Sequence, residues 1–162
     1  MTKFFFPLLI IAVLASVTGA YAATVLAKVG STSLGKIVVN GKGMTAYFFD
    51  LDKAHSGKSA CSGSCARMWP PITSTTVKPS VTEISAVVGT IAIKGGKYQV
   101  TISGRPIYTY APDKAPGAVK GQAVQGVWYV ISPKGREIKV LKLASKSPPT
   151  PTATKAYPKS GY

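Results

Sequence analysis

The sequence predicts an all-β protein, an antiparallel sandwich or a small barrel built from two related halves. Three observations carry this. The apolar segments within residues 23–143 repeat with a period of two rather than 3.6, as strands with one buried face require. The candidate strands are short, rich in β-branched and aromatic residues, and bounded by Gly, Pro, Asn or Ser. A twelve-residue stretch, Gly43–Ala54, recurs as Gly104–Ala115, an offset of 61.

The chain opens on Met1-Thr2-Lys3, continues uncharged from Phe4 to Val17, and reaches Ala20-Tyr21-Ala22. A short basic start, an apolar run and an A-x-A site are the pattern of a cleaved secretory leader over residues 1–22. The run is shorter than the roughly 20 residues a spanning helix needs, and Pro7 interrupts it. No Cys lies near the site to accept a lipid, so a periplasmic or secreted form without a lipid anchor is expected.

Within residues 23–143 the expected strands are Lys36–Asn40, Ala46–Phe49, Thr90–Ile93, Tyr98–Ile102, Ile107–Tyr110, Val127–Ile131 and Ile138–Leu143. Val81–Val88 reads as a helical turn or short helix, because Glu83, Ile84 and Val87 have helical spacing. From residue 144 to 162 the chain is rich in Pro and Lys and holds no aliphatic residue larger than Ala, so it is expected to be a disordered tail.

The recurring stretch has the form G-x-[TP]-x-Y-x-[FY]-x-x-D-K-A. It supplies Tyr47, Phe49 and Asp52 in the first copy and Tyr108, Tyr110 and Asp113 in the second. A Trp follows each Asp, Trp69 and Trp128. The repeat units run over about 35–72 and 97–133. Each is too small to bury its own apolar face, so one shared core is expected. In Tyr47-x-Phe49 and Tyr108-x-Tyr110 the two rings lie on one strand face. The Asp stands where the strand should end, and its carboxylate can accept backbone N–H bonds and set the turn. Gly43 and Gly104 mark the turn into each strand. These motif residues read mainly as structural, with a ligand groove lined by the repeated Tyr and Asp as the alternative.

With this pattern come Ser59-Ala-Cys-Ser-Gly-Ser-Cys-Ala66, Trp69-Pro-Pro71, Lys97-Tyr-Gln-Val-Thr101, Gly104-Arg-Pro-Ile-Tyr108 and Gly117-x-x-x-Gly-Gln122. Together they resemble the bacterial secreted-repeat family, predicted lipoproteins with a Y-x-[FWY]-x-x-D motif. The resemblance covers about Gly35–Pro133. It implies an exported, envelope-associated protein and supplies no biochemical activity. The missing lipid-acceptor Cys departs from the lipoprotein members.

Two cysteines, Cys61 and Cys65, are four residues apart, and in an oxidising compartment such a pair is most simply a disulfide. His55, Cys61, Cys65 and Met68 fall within fourteen residues and offer soft or borderline ligands, so a copper-binding or redox-linked protein is the alternative reading. A thioredoxin-like role is disfavoured because no βαβ unit and no helical start after Cys61 are apparent. One His and no G-x-S-x-G elbow leave little for hydrolysis. No nucleic-acid-reading motif is present.

The charge is lopsided: 20 Lys+Arg against 5 Asp+Glu in 162 residues, a net +15. Residues 25–143 hold sixteen basic and five acidic residues, so most of the excess belongs to the β domain. The expected function is a non-enzymatic envelope-binding module without a cofactor. An anionic envelope component or an acidic protein is the expected partner.

Overall fold

A computed structural model describes residues 24–139. The expected leader over 1–22, the tail over 144–162 and the outer limits of the 23–143 domain lie outside the described residues. The first half contains β1 (Ala27–Thr32), β2 (Gly35–Asn40), β3 (Tyr47–Phe49), the five-residue helix α1 (Ser64–Met68) and β4 (Thr73–Ser74). After β5 (Val81–Thr82) the second half contains β6 (Val88–Ile93), β7 (Lys97–Ile102), β8 (Arg105–Pro106) and β9 (Trp128–Val130). A short 3-10 turn, Val124–Gly126, precedes β9.

The strands form three small sheets, ordered β2-β1-β5, β3-β9 and β4-β7-β6, with β8 added to β7. All pairs are antiparallel except β1 with β5, which is parallel. The sheets do not close on one another, so of the two architectures expected, sandwich or small barrel, the barrel is not formed. They are tied instead by single bridges such as Tyr47 with Tyr108 and Pro71 with Tyr108.

The two halves repeat one construction. Hairpin β1–β2 pairs Ala27 with Asn40 and Val29 with Val38; hairpin β6–β7 pairs Val88 with Ile102 and Thr90 with Val100. The first hairpin turns through Ser33-Leu34 and the second through Lys94-Gly95-Gly96. That one extra loop residue moves the offset between copies from 61 at Ala27 and Val88 to 62 at Asn40 and Ile102. Gly43 and Gly104 then turn the chain with φ of +84° and +75°, a region where glycine carries no side-chain strain. From there the offset is 61 again.

Alternation along β2 and β3 sorts side chains into two cores. Val38, Ala46 and Phe48 join Val100, Ile102, Ile107 and Ile131 on one side. Ile37, Val39, Tyr47 and Phe49 join Trp69, Tyr108, Trp128 and Val130 on the other. Both cores draw on both halves, which is the shared burial that units of this size require.

Three expected elements differ from what forms. Val81–Val88 is not helical: Glu83 has φ of +61°, and Ile84, Ala86 and Val88 face the first core at period two while Val87 is 78% exposed. Burial against a sheet therefore overrides the helical spacing of residues 83, 84 and 87. Ile107–Tyr110 runs beside the other strands but pairs only through Tyr108. Of Ile138–Leu143, Ile138 donates its N–H to Val130 O at 2.8 Å without forming a strand, and residues 140–143 lie outside the described region. Strands β1, β4, β5 and β8 and helix α1 were not expected. All but β1 are too short to show a period in sequence.

Candidate functional site

The repeated residues meet at the junction of the two halves, with the partners exchanged. Tyr47 and Tyr108 face each other through two backbone bonds, Tyr47 N–H to Tyr108 O at 2.8 Å and Tyr108 N–H to Tyr47 O at 3.1 Å. The Tyr47 hydroxyl donates to Asp113 Oδ2 at 2.6 Å, and the Tyr108 hydroxyl donates to Asp52 Oδ2 at 2.6 Å. Each tyrosine thus reaches the carboxylate of the other repeat. The remaining oxygens are used locally: Asp52 Oδ1 accepts Ala60 N–H at 2.6 Å, and Asp113 Oδ1 accepts Lys120 N–H at 3.0 Å. Both carboxylates are 4% exposed. A buried charge is tolerated only with such partners.

The hydroxyl oxygens also have second partners. Gly121 N–H donates to Tyr47 Oη at 3.2 Å, and Ser59 Oγ lies 2.6 Å from Tyr108 Oη. Burial, followed by the bond to its carboxylate, pushes each phenol well above the usual tyrosine range. At neutral pH both are fixed as proton donors.

Beside them four rings form one column. Phe49 stacks on Trp128 at 4.2 Å, Trp128 on Trp69 at 3.7 Å with planes 1° apart, and Trp69 on Tyr110 at 4.1 Å. Here too the partners cross, since Phe49 meets the second repeat's Trp and Tyr110 meets the first repeat's. Tyr47 and Tyr108 pack edge-on against Trp69 and Trp128 at 5.4 and 5.3 Å. Contacts of this kind are each worth about 0.5–1.5 kcal/mol beyond the buried area.

Cys61 and Cys65 are joined in a disulfide with S–S 2.00 Å. The bridge lies between two anchored points. Ala60 is bound to Asp52, and Trp69 N–H donates to Cys65 O at 2.8 Å. Contrary to the sequence reading, a helix does start after Cys61: α1 begins at Ser64 and carries Cys65. The Ser62-Gly63 turn, with Gly63 at φ of +57°, makes that start possible.

Of the soft ligands, Cys61 and Cys65 are brought together, in the bridge. His55 is exposed, its ring lies against Gly104 and its backbone N–H donates to Gly104 O at 2.9 Å, while Met68 is 47% exposed at the end of α1. Among the described residues no group of three or more His, Cys, Asp or Glu is placed to hold a metal. A bridged cysteine pair offers no thiolate to copper.

The remaining two-carboxylate site is on the surface and was not read from sequence. Arg105 bonds to Glu137, to Phe49 O at 2.7 Å and to Asp50 Oδ1 at 3.3 Å. Its guanidinium lies 4.4 Å over the Phe48 ring. Lys139 joins Glu137 at 3.1 Å and Asp50 at 3.8 Å. Burial opposes the charge on Glu137, but hydrogen bonds with Asp50, Arg105 and Lys139 outweigh it and lower its carboxyl to about 2. Burial, and then Glu137 beside it, raise Asp50 instead.

These bonds account for four of the five acids. The described residues hold fifteen basic side chains, and only Arg105 and Lys139 have a carboxylate in reach. The other thirteen have no carboxylate in reach, and Glu83 is the one acid of the described residues outside these bonds. The exposed charge is therefore almost wholly positive.

A family model described as a secreted repeat of unknown function matches the chain twice, over residues 28–73 and 89–132. No curated protein and no solved structure matches it. Among the described residues no helix is long and apolar enough to cross a membrane.

Proposed function

Since the chain belongs to the family of secreted repeats of unknown function, we propose that it is an exported, non-enzymatic module that binds anionic components of the cell envelope through its basic surface. One observation carries this reading. Asp52 and Asp113 are buried on tyrosines, and Asp50 and Glu137 are held by Arg105 and Lys139. Folding thus buries or pairs four of the five acids and leaves most of the lysines unpaired on the surface. A surface of one sign attracts polyanions over the Debye length, about 8 Å at physiological salt.

The interior supports the non-enzymatic reading. The repeated tyrosines and carboxylates bond to one another, and their four carboxylate oxygens all have protein donors. Such groups are spent on holding the halves together. The leader pattern over residues 1–22, with no Cys at its end, supports a periplasmic or secreted form free of a lipid anchor. An acidic protein is the other partner this charge suits.

The test is retention of the exported chain on a sulfated matrix across a salt gradient. Charge-driven binding requires retention that falls steeply with salt. Retention indifferent to salt, or none at low salt, overturns the reading.

A further inference from the structure

We propose that an extended acidic polysaccharide is bound in one groove of this surface, running from Lys42 past Leu26 and Thr73 to Lys78 and Lys97; this rests on the anion-binding reading above. Two clefts, of about 410 and about 500 Å³, share Thr24, Leu26 and Thr73 as a common wall. Asn40 and Lys42 line only the first, and Lys78 and Lys97 only the second. All three lysines are exposed. Neither cleft is lined by a carboxylate, so nothing in the groove opposes an anion.

The lining also selects among anions. Six of the nine residues along the second cleft are Ser or Thr. Hydroxyls between cations suit a chain that alternates sugar hydroxyls with carboxylate or sulfate groups. Single-stranded nucleic acid is held largely by bases stacked on aromatic rings. No aromatic residue lines either cleft, and the rings of the repeat are committed to the core.

The wall is fixed before anything binds. Strand β4 pairs Thr73 with Gln99 and Ser74 with Tyr98. Ser74 Oγ donates to Thr76 O at 2.7 Å, Thr76 Oγ1 to Lys78 O at 3.0 Å, and Thr90 Oγ1 to Val77 O at 2.9 Å. Leu26 N–H donates to Ser80 O at 2.8 Å, closing the wall on the other side. A pre-set groove avoids the ordering cost a loose loop would meet on binding.

The experiment measures binding of labelled alginate oligosaccharide to the exported chain, with single-stranded DNA and anionic phospholipid vesicles as comparison probes. Two triple variants remove the same charge: Lys42→Gln, Lys78→Gln and Lys97→Gln in the groove, and Lys36→Gln, Lys114→Gln and Lys134→Gln outside it. All six are exposed lysines, and unchanged thermal unfolding checks that both variants fold. The groove variant should weaken alginate binding about tenfold and flatten its salt dependence, with the other variant changing it less than about threefold. Equal weakening by both overturns the groove and leaves the charge-driven reading in place. No binding of any anionic probe by the unaltered chain overturns both. Tighter, groove-dependent binding of DNA or vesicles overturns the polysaccharide assignment.

Discussion

The Tyr47 hydroxyl donates to Asp113 Oδ2 at 2.6 Å across 66 residues of chain, joining the first copy of the repeated motif to the second. Its counterpart from Tyr108 to Asp52 has the same length. The motif's tyrosine and carboxylate therefore act in trans between repeats, and removing either should be felt on both sides of the junction.

Tyr47→Phe leaves the Asp113 carboxylate buried with one donor fewer. Bonds to charged groups contribute about 1.5–3 kcal/mol, so a loss of about 2 kcal/mol is expected in urea unfolding. A double-mutant cycle of Tyr47→Phe with Asp113→Asn should show coupling above about 1 kcal/mol. The cycle with Asp52→Asn should lie closer to additive. Coupling to Asp52 instead would contradict the exchanged pairing.

Alkaline pH tests the same pair. Both phenols are raised in the folded state, so the native protein binds more protons than the unfolded chain once pH exceeds the ordinary tyrosine value of about 10. Their contribution is fully present below that pH and is lost as pH rises above it. Tyrosinate absorbance should show Tyr47 and Tyr108 ionising only together with unfolding, after the other tyrosines. Smooth ionisation of every tyrosine before the fold is lost would refute this.

Glu137 has the opposite sign. Its carboxyl is lowered to about 2, so its stabilising effect is present above the ordinary Glu value of about 4.3 and lost as pH falls toward 2. Asp50 is raised and partly offsets it. At pH 7 Glu137→Gln should destabilise more than Asp50→Asn, because Glu137 is the more enclosed partner of Arg105, whose Nε is already buried without a hydrogen-bond partner. Thermal unfolding of the two variants at pH 7 and pH 3 decides this.

Replacing Cys61 and Cys65 by Ser, or reducing them, should cost about 2 kcal/mol, the chain entropy of so short a loop. The loss should be local. Amide exchange should quicken first at Ala60 and Trp69, the two anchored residues flanking the bridge. Unchanged exchange at both would show that the bridge does not brace them.

Gly121→Ala tests the close approach of loop and core. A Cβ there would lie 2.8 Å from Tyr47 Cζ and 2.9 Å from Trp69 Cη2. Neither ring can yield without disturbing the column, so a cost of about 1–3 kcal/mol is expected from denaturant midpoints.

The sequence disclosed which residues matter to the fold more readily than which residues meet. Period two placed Tyr47 and Phe49 on one face, and both do enter the second core. Period says nothing of the partner opposite, so the crossing to Asp113 and Trp128 was invisible until the halves were assembled. The Arg105 cluster was hidden for the same reason, since Asp50, Arg105 and Glu137 are far apart in the chain. A trace was present in Gly104-Arg105-Pro106, where a basic residue follows the turn glycine of the second copy. The Thr73–Lys78 wall carried no motif, only a run of hydroxyl residues ending in Lys.

The crossed tyrosine–carboxylate bonds also bear on how such a chain arises and changes. Within one copy the hydroxyl and the carboxylate of the motif do not bond to each other, and the second copy supplies the partner of each. Fusing two copies turns that mutual need into a permanent tie. The halves are chemically interdependent: a change at Asp52 is felt at Tyr108, and a change at Asp113 at Tyr47.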